Sequence, residues 1–161
     1  MSWSIVNFSG EEIIKLSLEM ETSGKEFYEK ALNYAEEIQL KEMLGYLALE
    51  EEKHLKEFKK LGERLTKEFE PNESYAGEYG DYLKSIVNNH VFNLNKVEDL
   101  VKGIKTDLDI LRFALSFEKD SIMIFQEFEN FVSSTGKEII KELVNEEKGH
   151  IKKINALFLL I

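Results

Sequence analysis

A chain of 161 residues with one Pro, nine Gly and 43% apolar residues has the size and composition of a single globular domain, residues 1–161, which excludes collagen-like and Pro/Gly-rich disordered chains. It contains no Cys, so disulfide frameworks, thiolate zinc sites, iron–sulfur clusters and a cysteine nucleophile are excluded, and any metal must be held by carboxylate, imidazole or carbonyl. The formal charge of −10 argues against nucleic acid as a partner. No basic stretch followed by an apolar run opens the chain between Met1 and Gly10, and no apolar stretch reaches the 18 residues of a membrane span. The expectation is a cytoplasmic protein with no membrane partner.

Helical periodicity is carried by four long segments, and no β-branched run has period two. The first helix runs from about Gly10 to Glu36, opened by a capping box of Ser9 and Glu12. The second runs from about Gln39 to Phe69 and stops before Pro71. Pro71, Gly77 and Gly80 then mark irregular chain, followed by short amphipathic pieces at Tyr82–Val87 and Val97–Ile104. The third long helix runs from about Asp107 to Val132, with Thr106 or Asp107 at its start. The fourth runs from about Gly136 to the C-terminus behind a second capping box, Thr135 with Glu138. Short turns within each pair make antiparallel neighbours, and the long middle segment must carry the chain back along the bundle. The predicted fold is all-α: a four-helix bundle of two helical hairpins joined by a long crossover.

The second helix places Leu40, Leu44, Leu47, Glu51, His54, Phe58, Leu61 and Leu65 on one stripe, apolar except at its middle. The fourth repeats it with Ile140, Leu143, Glu147, His150, Ile154, Leu157 and Ile161, which match Leu44 to Leu65 at an offset of 96. The first and third helices repeat each other at an offset of 97: Ile14, Leu18, Glu21, Tyr28 and Ala35 against Leu111, Leu115, Glu118, Phe125 and Val132. Each hairpin therefore carries one Glu and one Glu-x-x-His at mid-height.

An ionised carboxylate alone in an apolar core costs several kcal/mol. Four carboxylates and two imidazoles at one level need a common compensation, and two divalent cations supply it. A spacing of three keeps each Glu and its His on one helix face. One Glu from each of two helices and one Glu-x-x-His from each of the other two is the ligand set of bundle di-metal sites. With 26 Glu in the chain, one Glu-x-x-His would be weak support, but two in matching core slots are specific. A hydrogen-bonded polar network without metal is the alternative. His90 follows Val87, Asn88 and Asn89, has no carboxylate company, and reads as a crossover histidine. Tyr28 reads as core packing with its hydroxyl turned to a buried partner, or as a residue that supports the metal ligands. Gly24 and Ser121 occupy equivalent slots one turn beyond Glu21 and Glu118; they provide either close helix packing or room for an oxygen or peroxide ligand.

Leu18–Tyr28 (LEMETSGKEFY) and Phe117–Phe125 (FEKDSIMIF), with Leu49–His54 (LEEEKH) and Asn145–His150 (NEEKGH), resemble the metal helices of the rubrerythrin branch of the ferritin-like family. The resemblance covers all four helices. It implies a ferritin-like bundle with a non-haem di-iron centre that reacts with hydrogen peroxide or dioxygen. It further implies that Glu21 and Glu118 are terminal ligands, that Glu51 and Glu147 bridge the metals, and that His54 and His150 each cap one metal. Full-length rubrerythrins end in a four-Cys rubredoxin domain; this chain has no Cys, so the resemblance implies an external electron-donor protein. Rubrerythrins also carry a further ligand Glu on the third helix, where this chain has Leu115 and Ser121 one turn either side of Glu118.

The expected function is thus a di-iron peroxide reductase or oxidase. The competing readings are an iron-handling ferroxidase and a manganese catalase-like enzyme, because carboxylate-rich ligation suits iron and manganese alike; a helical interaction module without metal is the third. At the C-terminus, Ile154, Leu157 and Ile161 continue the core stripe, while Phe158, Leu159 and Leu160 have no partner left within a four-helix bundle. That patch points to a homodimer, which the rubrerythrin resemblance also implies; packing under the long crossover is the alternative.

Overall fold

The order in which apolar side chains enter the core sets the topology. The computed structural model describes residues 10–65, 81, 82, 85, 86, 89, 96–132 and 134–161. Its elements are α1 (Gly10–Ala31), α2 (Ile38–Leu65), α3 (Val97–Lys102), α4 (Asp107–Phe128), a 3-10 turn (Glu129–Phe131) and α5 (Ser134–Phe158); among the described residues there is no strand. Two apolar clusters lie on either side of the Glu and His level. In chain order, α1 gives Leu16 and Met20 to the lower cluster, then Phe27, Tyr28 and Ala31 to the upper. Helix α2 gives Leu40, Leu44 and Leu47 to the upper, then Phe58 and Leu61 to the lower. Helix α4 enters above with Ile110, Leu111 and Phe117 and leaves below with Ile124, Phe125 and Phe128; α5 runs from Ile140 and Leu143 below to Ile154 and Leu157 above.

The long helices therefore run up, down, down and up. The segment between α2 and α4 crosses from the bottom to the top, which is the expected pair of hairpins with a crossover. Ile86 packs on the lower cluster, while Val97, Val101 and Ile104 belong to the upper. Of Tyr82–Val87, the described Tyr82, Ser85 and Ile86 are helical, and Val97–Lys102 is the helix within Val97–Ile104.

The hairpin repeat extends to the helix ends. Helices α1 and α4 each have 22 residues, and both their starts (Gly10, Asp107) and their ends (Ala31, Phe128) are 97 apart. The starts of α2 and α5, Ile38 and Ser134, are 96 apart. Three expected boundaries are corrected. Helix α1 stops at Ala31 rather than Glu36, because the chain turns so that Ala35 can enter the upper cluster. Helix α4 stops at Phe128 and tightens into the 3-10 turn before Val132. Helix α5 starts at Ser134, so Thr135 lies inside it rather than capping it; a Cβ at Gly136 would stand 2.8 Å from Val132 Cβ, and the bare glycine lets the first turn close on that residue. The proposed Ser9 cap, the stop at Pro71, Gly77, Gly80 and His90 fall outside the described residues, as does the Leu65 side chain.

Thr106 caps α4: its side chain accepts from Asp109 N–H, and Asp109 Oδ2 accepts from Thr106 N–H at 3.0 Å, a reciprocal capping box. Asp107 does a different task. Its two carboxylate oxygens accept the backbone N–H groups of Glu36 and Glu37 at 2.9 and 2.8 Å, just before α2 begins. One buried side chain thus ties the entry of α4 to the start of α2, where orphan donors and the helix dipole favour an anion.

Candidate metal centre

Glu21 on α1, Glu51 and His54 on α2, Glu118 on α4, and Glu147 and His150 on α5 meet at one level between the two apolar clusters. All six are at most 1% exposed. Each comes inward because it lies at mid-height on the helix face that carries that helix's core residues. The six sequence-predicted residues are therefore brought together.

They form two overlapping groups. Glu21, Glu51, His54 and Glu147 each offer a donor atom, all within 4.8 Å of one another; Glu51, Glu118, Glu147 and His150 do the same. Glu51 and Glu147 belong to both. His54 Nδ1 lies 3.0 Å from Glu21 Oε2, 3.0 Å from Glu147 Oε1 and 3.7 Å from Glu51 Oε2. His150 Nδ1 lies 2.8 Å from Glu147 Oε2 and 3.4 Å from Glu118 Oε2. The two imidazoles stack with ring centroids 5.8 Å apart. Both histidines thus turn Nδ1 inward.

The electrostatics show what this arrangement lacks. Burial, and then the charges of Glu21 and Glu147, push the Glu51 carboxyl well above the carboxylate range. Burial and the adjacent Glu147 do the same to Glu118. Burial alone would push His150 down, but hydrogen bonds with Glu118 and Glu147 outweigh it and raise it to about 10. His54 is raised against its own burial by Glu147, Glu21 and Glu51. Burial opposes ionisation of Glu147, yet hydrogen bonds with Glu118, His150 and His54 hold it below the usual range. Hydrogen bonds between carboxyls and imidazoles balance part of the buried charge. Even so, Glu21 Oε1 and both oxygens of Glu51 are buried without a hydrogen-bond partner. A buried orphan acceptor costs about 1–3 kcal/mol, and cations would satisfy these oxygens. The donor set fits: these buried Glu and His groups could hold a metal ion.

Tyr28 is fully buried, and its hydroxyl donates to Glu118 Oε1 at 2.6 Å, so the core tyrosine and the residue that supports a ligand are the same. Burial and the charge of Glu118 raise the phenol well above its ordinary value, so it stays a donor. The two readings of the Gly24 and Ser121 slots divide. A Cβ at Gly24 would stand 2.3 Å from Phe117 Cζ, so Phe117 fills that space and the glycine serves close packing. Ser121 Oγ, one turn beyond Glu118, is buried without a hydrogen-bond partner.

Glu146 is a residue the stripes did not single out. Its Oε2 lies 2.8 Å from His54 Nε2, the ring nitrogen turned away from the other five residues. Glu146, His54, Lys53, Lys56, Lys60 and Glu142 are among the residues lining a cleft of about 530 Å³ between α2 and α5. The readable signal was a Glu four residues before each His, at Glu50 and Glu146. Comparison of the chain with protein-family models, with curated proteins and with solved structures finds no match, and the chemistry of the site is read from its own geometry.

Proposed function

We propose that the chain is a ferritin-like bundle of the rubrerythrin kind, in which Glu21, Glu51, His54, Glu118, Glu147 and His150 hold two iron ions, and that it is an oxidoreductase acting on hydrogen peroxide or dioxygen. The observation that carries this reading is the pair of buried donor groups sharing Glu51 and Glu147. Shared carboxylates suit bridging ligands, Glu21 and Glu118 suit terminal ones, and His54 and His150 each complete one group. Two dications would also balance the charge of the four carboxylates. Manganese is the other cation that this donor set accepts.

When bound, the metals supply Lewis acidity and electron transfer to an O–O bond. The chain's own part is positioning. Tyr28 fixes the orientation of Glu118 through its hydrogen bond. Phe117 closed against Gly24, and the apolar clusters above and below, bury the six residues, and His54 backs onto the cleft between α2 and α5. Reduction of peroxide to water consumes electrons, and in this reading a donor protein supplies them. The exposed Leu159 and Leu160 support a homodimer.

The test is elemental analysis of the chain purified without added metal and after anaerobic loading with Fe(II), followed by peroxide consumption with an artificial reductant. The expected result is about two metals per chain and turnover that His54→Ala abolishes. Well under one metal per chain after loading would end the reading. A hollow shell of many subunits that mineralises iron would favour the iron-handling alternative, and peroxide disproportionation by the manganese form without reductant would favour the catalase-like one.

A further inference from the structure

The hairpin repeat allows the two histidines to be compared slot by slot, and their outer edges differ. At the offset of 96, Glu50 matches Glu146, His54 matches His150, and Lys53 matches Gly149. On α5 no lysine stands three residues after Glu146, so that carboxylate crosses to α2 and takes His54 Nε2 at 2.8 Å. On α2, Lys53 ion-pairs with Glu50 and holds it on its own helix. His150 instead meets the Tyr46 ring edge-on at 5.9 Å, and Lys153 Nζ lies 3.8 Å from the centre of that ring. At this offset Lys53 matches Gly149 and Tyr46 matches Glu142, and these two differences leave one histidine with a carboxylate and the other with an aromatic lid.

We propose that Glu146 is a positioning residue for His54, and that it makes the two metal positions unequal, the one completed by His54 filling first. This deepens, and rests on, the metal-binding reading above. A carboxylate on Nε2 accepts its N–H, fixes the ring so that the Nδ1 lone pair faces the cluster, and makes that nitrogen a stronger donor. Among the described residues no hydrogen bond reaches His150 Nε2, although the charge of the imidazole is felt by Glu50. The same side chain stands at the cleft: Glu146 is 53% exposed while its histidine is fully buried, so the better-prepared position is also the one whose histidine lines an open surface.

The experiment is titration of the metal-free full chain with Co²⁺, followed by calorimetry and d–d absorption. Wild type should bind in two resolved steps, the first lost in His54→Ala and kept in His150→Ala. Glu146→Ala should weaken the first step roughly tenfold to a hundredfold and leave the second nearly unchanged. Glu146→Gln should restore most of the loss, because its amide oxygen still accepts from Nε2–H. Gly149→Lys, a site where nothing lies within 4 Å of an added Cβ, should weaken the first step as well by drawing Glu146 back to its own helix. An unchanged first step in Glu146→Ala, or equal weakening of both steps, overturns the inference while leaving metal binding intact. A wild-type chain that takes up no metal overturns the binding reading and this inference with it.

Discussion

The Tyr28 hydroxyl reaches Glu118 Oε1 at 2.6 Å across 90 residues of sequence, from the first hairpin into the second. Its repeat partner on α4 is Phe125, which has no hydroxyl to offer. Tyr28→Phe should therefore pack without strain and lose one buried hydrogen bond. Equilibrium denaturation of the metal-free chain should show a loss of about 1–2 kcal/mol. No change would mean that the bond contributes nothing to the fold.

Metal should stabilise the bundle. Binding to the native state alone adds stability by mass action, and here it would also satisfy the orphan oxygens of Glu51. The loaded chain should melt higher than the chelated one at neutral pH. Glu51→Ala should remove the difference, since Glu51 belongs to both donor groups. Glu57→Ala, on a half-exposed side chain paired with Lys60, should preserve it.

The metal-free chain should lose stability as pH rises. The His150 imidazole is held protonated up to about 10 in the fold by Glu118 and Glu147, against about 6.5 when unfolded. A raised pKa contributes stability that is complete below about 6.5 and is lost as pH climbs to about 10. Raised Glu51 and Glu118 have the same sign, since the fold binds their protons more tightly than the unfolded chain does. Glu147, held below its usual range, matters only at the acid end. Melting curves in chelator should fall steadily from pH 6.5 to pH 10; a flat or rising profile would contradict the protonated cluster.

Gly24→Ala tests the packing around the site. Its methyl group would meet Phe117 within the bundle, and overpacking of this kind costs about 1–3 kcal/mol. Pairing it with Phe117→Leu should recover part of the loss. Recovery by the second substitution would identify the ring as the obstacle.

The proposed homodimer is tested by light scattering. Helix α5 ends at Phe158, which packs against the upper cluster, and Ile154 and Leu157 are core, so the chain should be cut after Phe158 rather than further back. Wild type should be a dimer and the shortened chain a monomer. A dimer that survives the cut would place the interface elsewhere, and a monomeric wild type would remove it.

Burial on α2 was legible in the sequence because it follows the period of the helix, whereas on α1 the stripe's Ile14 and Leu18 are only partly buried and Leu16, Met20 and Phe27 fill the core. Leu40, Leu44, Leu47, Glu51, His54, Phe58 and Leu61 are all buried in the order the stripe predicts. Periodicity says nothing of where a helix ends or of a side chain that leaves its own stripe. Ile161 continues the α5 pattern arithmetically yet is 44% exposed, because the helix has already stopped. Phe158, expected to be unpartnered, folds back onto the upper cluster. The Asp107 clamp on Glu36 and Glu37 and the crossing of Glu146 to His54 are contacts between distant segments, and no local period announces them.

The repeat has a consequence for the origin of such a chain. Glu21, Glu51 and His54 make up only part of either donor group, and every group draws on both hairpins. A half-length ancestor with one Glu and one Glu-x-x-His could have completed such a site only against a second copy of itself. The two halves of the present chain are unequal, as Tyr28 against Phe125 and Lys53 against Gly149 show.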